Sequence, residues 1–190
     1  NPDVLGYVFE KYINQKEMGA YYTKEDITGY ISQNTIIPAV FDAARKGCRI
    51  AFDGEHSIWK LLKEDPDRYF YAAVLHGTDK ELPKEIAAGM KDVSKRGDWN
   101  KTAPGEYGLP TETWREVVAR RQRYQEIRAK LAAGDVQSIS DLITHNLDIQ
   151  RFAEEVISSA AGADLVWAFY KAVENLSVLD PTCGSGAFLF

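Results

Sequence analysis

A chain of 190 residues that is 45% apolar and 27% charged can bury one sizeable core or two small ones, which is typical of a soluble globular protein. It has no apolar run near the roughly 20 residues that span a bilayer, and its N-terminus lacks a signal-peptide pattern, so no membrane partner and a cytoplasmic location are expected. The net charge of -5 excludes a polycation that binds nucleic acid with its whole surface, although a local basic face remains compatible with it.

The thiols and imidazoles do not form a pattern that indicates a metal or a disulfide framework. The two cysteines, Cys48 and Cys183, lie far apart in the sequence and have no Cys/His cluster at metal-ligand spacing around them. The three histidines, His56, His76 and His145, are dispersed, and each is expected to be a surface or packing residue. We therefore expect no metal site.

The first part of the chain, residues 1–47, is predicted to form three helices. Apolar residues recur on one helical face in its opening segment: Leu5, Val8, Phe9, Tyr12 and Ile13. Thr23 stands three residues before Asp26, which is a capping-box signature at the start of a second helix. A third helix is expected to begin near Pro38 and to end at Gly47, since glycine adopts the left-handed conformation that closes helices.

The next part, residues 48–176, is predicted to be a helical domain with a long loop near its middle. Short strands around residues 49–52 remain open, and Asp65-Pro66-Asp67 is typical of a break between two helices. The segment GDWNKTAPGEYGLP, residues 97–110, contains three glycines and two prolines and is expected to be a surface loop. Two further helices are predicted at about residues 140–159 and 163–175.

Between the loop and those two helices, the run TETWREVVARRQRYQEIRAKLAAGD predicts a long helix, capped by Thr113 with Glu116 and closed by Gly134. Its apolar residues fall along one side, and basic residues are expected to occupy the rest: Arg115, Arg120, Arg121, Arg123, Arg128 and Lys130. Only Glu116 and Glu126 oppose them between residues 115 and 130, so the helix is locally basic inside an acidic chain.

The last residues, SVLDPTCGSGAFLF, follow the order of a short apolar strand, an acidic residue, a glycine turn and the start of a helix. Glycine lets a ligand approach the backbone closely, and the amides at a helix start point towards it. The spacing does not match a P-loop or the complete G-x-G-x-x-G of dinucleotide folds. By itself the G-x-G is better explained as a structural turn than as a ligand site.

The complete string DPTCGSGAFLF resembles the first motif of the S-adenosylmethionine-dependent N6-adenine DNA methyltransferases. LGYVFEKYINQKEMGAYYTKEDITGYI is similar to the upstream segment of the large restriction-modification methylases, the type IIG enzymes and the related phage-defence methylases. ETWREVVARRQRYQEIRAKLAAGDVQSISDLITHNLDIQRFAEEVI resembles the helical region that they carry before that motif. The resemblance implies a mainly α chain whose residues 177–190 are the first β-strand and glycine turn of a truncated Rossmann-like methyltransferase domain.

The same resemblance implies that S-adenosylmethionine is the cofactor and that two segments hold it. The glycine turn would lie under the methionine part of the cofactor: Asp180, Pro181, Thr182, Cys183, Gly184, Ser185 and Gly186. In the family a G-x-Y-Y-T-P segment covers that end, a role that falls here to Tyr21, Tyr22 and Thr23. Lys24 stands where the family more often has proline, so the turn is less preorganised. The alternative is that Tyr21 and Tyr22 are core aromatics before a capped helix.

The chemistry that the resemblance implies is transfer of a methyl group to the exocyclic amine of an adenine flipped out of double-stranded DNA. It needs an Asn-Pro-Pro-Tyr motif, and this motif does not occur in the sequence, so we assign no catalytic residue. Our hypothesis is that the chain is a fragment, inactive alone, of a longer enzyme. We identify no nuclease signature, and further restriction-modification domains or subunits are the expected partners.

For the basic helix, the functional hypothesis is that Arg120, Arg121 and Arg123 neutralise DNA phosphates, which would make binding salt-sensitive. The alternative is a solvated charged face with pairs such as Glu116 to Arg120. Two other functions also stay open: a helical DNA- or partner-binding scaffold without catalysis, and methylation of RNA or protein.

Overall fold

The computed structural model describes residues 25–54 and 56–181, together with Val4 and Val8, and these residues form helices and loops. Eight α-helices occur in the described ranges: α1 Glu25–Gly47, α2 Lys60–Glu64, α3 Ala72–Leu75, α4 Lys84–Lys91, α5 Trp114–Ala133, α6 Ile139–Thr144, α7 Ile149–Ser158 and α8 Ala163–Glu174. Short 3-10 helices lie at Arg49–Ala51, Pro66–Tyr69 and Val93–Lys95. The described residues contain no strand, only an isolated antiparallel bridge between Thr102 and Thr113, so the mainly α prediction is confirmed there.

Several predictions made from the sequence fall on residues outside the described ranges. They are the helix expected at residues 5–13, of which the structure describes Val8 alone, the Thr23 cap, the Tyr21 and Tyr22 segment, and the glycine turn. Residues 176–180 have no regular secondary structure, so the structure does not show the Rossmann-like strand expected there, and the glycine turn beyond Pro181 stays a prediction.

The chain divides into two compact units. Ile58–Asp148 form one, called the middle unit here, and the residues up to Ser57 combine with those from Ile149 onward to form the other, the terminal unit. The middle unit is continuous in sequence, whereas the terminal unit needs two separate segments of the chain.

The core of the terminal unit is built around Phe41 of α1. Its ring lies 4.9 Å from that of Phe169 on α8, 6.1 Å from Phe152 on α7 and 6.2 Å from Phe52, measured between ring centroids. All four rings are buried. Aromatic pairs at this separation add to the free energy gained by burying their area. This cluster holds α1 against α7 and α8.

The two helices predicted on either side of Pro38 are one helix in the structure. Helix α1 runs from Glu25 to Gly47 with Pro38 inside it. An interior proline costs about 3 kcal/mol because it removes a backbone hydrogen bond and crowds the preceding turn. Buried residues lie on both sides of it, Thr28 before and Phe41 and Ala44 after. Packing of both halves in one unit outweighs this local cost.

Two other boundaries also differ from the predictions. The strand left open around residues 49–52 is a 3-10 helix at Arg49–Ala51. The single helix expected at about residues 140–159 is two helices, α6 and α7, because Asn146 has a φ of 53° between them. Asparagine tolerates this left-handed conformation better than most residues. The break before Pro66 and the non-helical stretch at residues 97–110 are as predicted.

The middle unit has an aromatic core between α4, α5 and the long loop. Its buried members are Ile86, Trp99, Ala103, Trp114, Val117 and Val118. The Trp99 indole N–H donates to the carbonyl of Ile86 at 3.1 Å, which satisfies its one polar group. The long loop therefore contributes Trp99 and Ala103 to the interior and is only partly a surface feature.

Candidate functional site

The basic helix predicted from the sequence is α5, and both of its ends are formed as expected. Glu116 accepts hydrogen bonds from the backbone N–H of Thr113 at 2.7 Å and from the Thr113 hydroxyl at 2.8 Å. These two bonds lower the pKa of Glu116. At the other end, Gly134 has a φ of 82° and donates its N–H to the carbonyls of Leu131 and Lys130. The cap and the glycine fix the length of the helix.

Arg120 is an interior residue of the middle unit. Its Nε and Nη2 each lie 2.9 Å from an oxygen of Glu112, a bidentate pair whose side chains are only 13% and 11% exposed. Its guanidinium also donates to three carbonyls: Val74 at 3.0 Å, His76 at 2.7 Å and Tyr107 at 3.0 Å. Arg120 thus joins α5 to α3, to the residue that follows α3 and to the long loop.

Glu112 is held in its charged form by these contacts. Burial alone raises the pKa of its carboxyl. Hydrogen bonds from Arg120 and from the Leu109 N–H lower this pKa, as do the charges of Arg120 and His76, and together they outweigh the effect of burial. The net effect lowers the pKa of Glu112 below its ordinary value. The pair is therefore ionised at neutral pH.

Arg121 also turns inward, towards the segment that follows α3. Its Nη2 donates to the carbonyls of Thr78, at 3.1 Å, and Lys80. Its Nη1 is buried and lacks a hydrogen-bond partner among the described residues. Burial, followed by the neighbouring charge of Arg120, lowers the pKa of Arg121. The prediction that basic residues occupy only the faces away from the apolar side is wrong for Arg120 and Arg121.

Arg123 lies on a different face of α5, and its side chain is exposed. With 100° of rotation per residue, Arg115, Arg123 and Lys130 fall within about 80° of one another, and Glu126 lies among them. All four are exposed, and the stripe is about 22 Å long at 1.5 Å per residue. We call these four residues the exposed α5 face. It carries three of the exposed basic residues of α5, whereas Arg128, also exposed, is paired with Asp67.

Sequence reasoning missed the acidic partners of the α5 side chains. The suggested pair of Glu116 with Arg120 is not formed, since Glu116 bonds Thr113 and Arg120 bonds Glu112. Asp67 accepts from the Tyr124 hydroxyl and from Arg128 Nε, both at 2.8 Å. Burial, followed by the bond to Asp67, raises the pKa of Tyr124. These partners are eight or more positions away in sequence, so no local spacing indicates them.

The structure describes only part of the predicted cofactor segments. Asp180 is half-buried and Pro181 is exposed. Tyr21, Tyr22 and Thr23, like Thr182, Cys183, Gly184, Ser185 and Gly186, lie outside the described residues. In the ranges that the structure does describe, no group of three or more His, Cys, Asp or Glu side chains is placed to hold a metal ion, and no helix is long and apolar enough to cross a membrane.

One curated protein is similar to this chain in sequence. It comes from Methanocaldococcus jannaschii, is named a candidate type II restriction enzyme and methyltransferase, and is 56% identical to this chain over 102 residues. The alignment covers 47% of this chain and 9% of that protein, so the chain matches a small part of a much longer relative. No family model and no solved structure matches. The chain is therefore similar to a restriction-modification methyltransferase.

Proposed function

We propose that the chain is the N-terminal part of a site-specific DNA adenine-N6 methyltransferase of a restriction-modification or phage-defence system. The observation that carries the proposal is the 56% identity to the M. jannaschii restriction enzyme and methyltransferase. The choice of adenine N6 rests on the likeness of DPTCGSGAFLF to the first motif of that class. Because its DNA substrate is in the cytoplasm, we assign the enzyme to that compartment.

S-adenosylmethionine is the proposed cofactor, held between the two ends of this sequence. The proposed division by role is residues 1–47, with the covering segment Tyr21–Thr23, the helical residues 48–176, and residues 177–190 as the start of the catalytic domain. These bounds by role differ from those of the two compact units. Backbone amides of a glycine turn favour the cofactor's carboxylate, and aromatic faces favour its sulfonium. Without the Asn-Pro-Pro-Tyr motif, the 190 residues alone are expected to be inactive and to bind the cofactor weakly.

Double-stranded DNA is the proposed substrate, and α5 is the proposed contact to its phosphates. Of Arg120, Arg121 and Arg123, we assign direct phosphate contact to Arg123, because its side chain is exposed. Arg120 and Arg121 would act by positioning the helix and the loops that they bond. Arg115 and Lys130 extend the same exposed α5 face.

Methyl transfer by the full-length source protein tests the enzymatic proposal. Radiolabelled S-adenosylmethionine and duplex DNA should give labelled DNA, and digestion to nucleosides with mass spectrometry should identify N6-methyladenine. Gly184→Val, which puts a side chain where the cofactor would approach the backbone, should abolish labelling. Methylated cytosine, RNA or protein in place of adenine would reject the substrate assignment, and an unlabelled product would reject the enzyme.

DNA binding tests the role of α5. The triple variant Arg115→Ala, Arg123→Ala, Lys130→Ala of the full-length protein should bind duplex DNA more weakly at low salt, measured by fluorescence anisotropy. A plot of log affinity against log salt concentration has a negative slope. The magnitude of this slope should decrease by about 0.9 for each phosphate that the variant no longer neutralises. Glu126→Ala on the same face is the matched control and should not weaken binding. Equal slopes for the triple variant and the unmodified protein would exclude the phosphate role.

A helical scaffold that binds DNA or a partner subunit without catalysis is the second candidate. The helical architecture of the described residues favours it. It predicts salt-dependent DNA binding by the full-length protein with no methyl transfer to any substrate, so the same two experiments separate the candidates.

A further inference from the structure

Helix α8 has apolar side chains on both of its sides. Leu165, Ala168, Phe169 and Ala172 are buried in the terminal unit. Val166, Trp167, Tyr170 and Val173 are 43–59% exposed on the other side. The exposed side of a surface helix is normally polar, whereas this side carries four large apolar residues beside Asp164, Lys171 and Glu174.

The exposed apolar side chains of α8 lie close together on the helix rather than at scattered positions. Val166, Tyr170 and Val173 have the i, i+4, i+7 spacing of one helical stripe, and the ring of Trp167 stacks on that of Tyr170 at 5.2 Å and 19°. The chain then continues with Val178 and Leu179, which are 54% and 86% exposed. We call these six residues the aromatic face. A large exposed apolar patch of this kind marks an interaction surface.

The basic residue on the exposed side of α8, Lys171, is already paired. Lys171 Nζ lies over both rings, 5.1 Å from the Trp167 centroid and 5.8 Å from that of Tyr170, and forms an ion pair with Glu174. A phosphate-binding surface needs basic groups in excess, so this face suits an apolar protein surface better than nucleic acid. An open groove of about 740 Å³ adjoins it, lined in part by Trp167, Ile50 and Leu176.

We infer that the aromatic face is the docking surface for the remainder of the catalytic domain, the part that would follow Phe190 in the full-length protein. This inference rests on the proposed function. Two observations select this occupant. The face runs into residues 177–190, the proposed start of that domain, and ends at Leu179, directly before the glycine-turn motif. The chain also spans 9% of its relative, which leaves a large remainder to cover the face.

Oxidative footprinting of Trp167 and Tyr170 tests the inference. Hydroxyl radicals modify exposed side chains, and mass spectrometry gives the rate for each residue. In the 190-residue chain Trp167 is the exposed tryptophan, while Trp59, Trp99 and Trp114 are buried. In the full-length protein, without DNA, the rates of Trp167 and Tyr170 should be at least about fivefold lower, as for side chains at the centre of an interface. Met90 on α4, 40% exposed, is the control and should keep its rate.

A charged variant gives an independent measurement. Trp167→Glu should leave the midpoint of thermal unfolding of the 190-residue chain within about 2 °C, because surface substitutions change stability little. In the full-length protein it should lower the midpoint of the catalytic domain. Val93→Glu, at a position 70% exposed in the middle unit, should have no effect in either protein.

Each outcome supports or overturns the inference. Unchanged Trp167 oxidation in the full-length protein overturns it. So does protection that depends on protein concentration in the 190-residue chain, which would indicate a second copy, and protection that appears only with DNA. Methylation is measured separately: an active enzyme with an exposed Trp167 rejects the docking surface alone, and a protected Trp167 without methylation rejects the proposed function alone.

Discussion

Arg120 shows how a charged residue can belong to the interior of a helical unit. Arg120 follows Val117 by three positions and precedes Ile127 by seven, so it lies on the buried side of α5. Arg121 stands in the same relation to Val118. This periodicity is present in the sequence, but the partners are not evident there, because Glu112 and the carbonyls of residues 74–80 reach the helix only through the fold.

Glu112→Gln is expected to destabilise the middle unit by about 2 kcal/mol, since it leaves a nearly buried guanidinium without its counter-charge. Urea unfolding followed by circular dichroism measures the change. Asp98→Asn is the matched control, because the pair of Asp98 with Lys101 is exposed and 2.7 Å long. We expect the control to change the free energy of unfolding by less than about 0.5 kcal/mol. Equal effects of the two substitutions would contradict the structural role of Arg120.

The same pair predicts the pH dependence of stability. The pKa of Glu112 is lowered by folding, from an ordinary value of 4.5, so the folded state favours the carboxylate. Its contribution is complete above the unfolded pKa and is lost as pH falls through the folded pKa. The difference in unfolding free energy between the unmodified chain and Glu112→Gln should be constant from about pH 7 to 5 and should shrink below the ordinary carboxylate range. A difference that stays constant down to about pH 3 would contradict the ionised pair.

Gly89 in helix α4 shows how side-chain packing can reverse the usual preference of a helix for alanine over glycine. A Cβ at Gly89 would lie 2.5 Å from Nε1 and 2.8 Å from Cε2 of Trp99, whose indole packs on the helix backbone. The Arg96 guanidinium lies over that ring, 4.3 Å from its centroid. The site therefore requires glycine because of the indole, although alanine is the better helix former.

Gly89→Ala should destabilise the middle unit by about 1–3 kcal/mol through overpacking, measured as a shift of the urea midpoint. Gly29→Ala is the matched helical control, because a Cβ there meets nothing within 4 Å. The control should be neutral or stabilising by up to about 1 kcal/mol. Two changes of the same sign would show that the indole does not set the outcome.

Helix boundaries differ in how local their causes are. The ends of α5 follow from Thr113, Glu116 and Gly134, which act within one turn, and they were predicted. The continuity of α1 through Pro38 was not predicted, because it depends on α7 and α8, more than 100 positions away. Local signals therefore locate an element's ends when capping decides them and fail when packing does.

The division into two units makes a prediction about folding. The middle unit holds its own aromatic core, and Asp148 donates its N–H to the carbonyl of Tyr69 at 2.8 Å, a bond that joins distant parts of the same segment. Residues 58–148 alone should therefore fold, with a helical circular dichroism spectrum and a cooperative urea transition. Residues 25–57 alone should lack that transition, because the rings of Phe152 and Phe169 that pack on Phe41 belong to the other segment. A non-cooperative transition of residues 58–148 would contradict the division.

The sequence by itself determined the features that arise from neighbouring residues. These are the helical class, the capped and glycine-terminated α5, the break before Pro66 and the motif string that resembles the methyltransferases. The tertiary structure decided which charges are accessible: Arg120 and Arg121 turn inward to distant carbonyls, Arg123 faces solvent, and α8 keeps an exposed aromatic face. The reason is physical: capping acts over three or four residues, whereas the burial of a side chain depends on which distant segments pack against it.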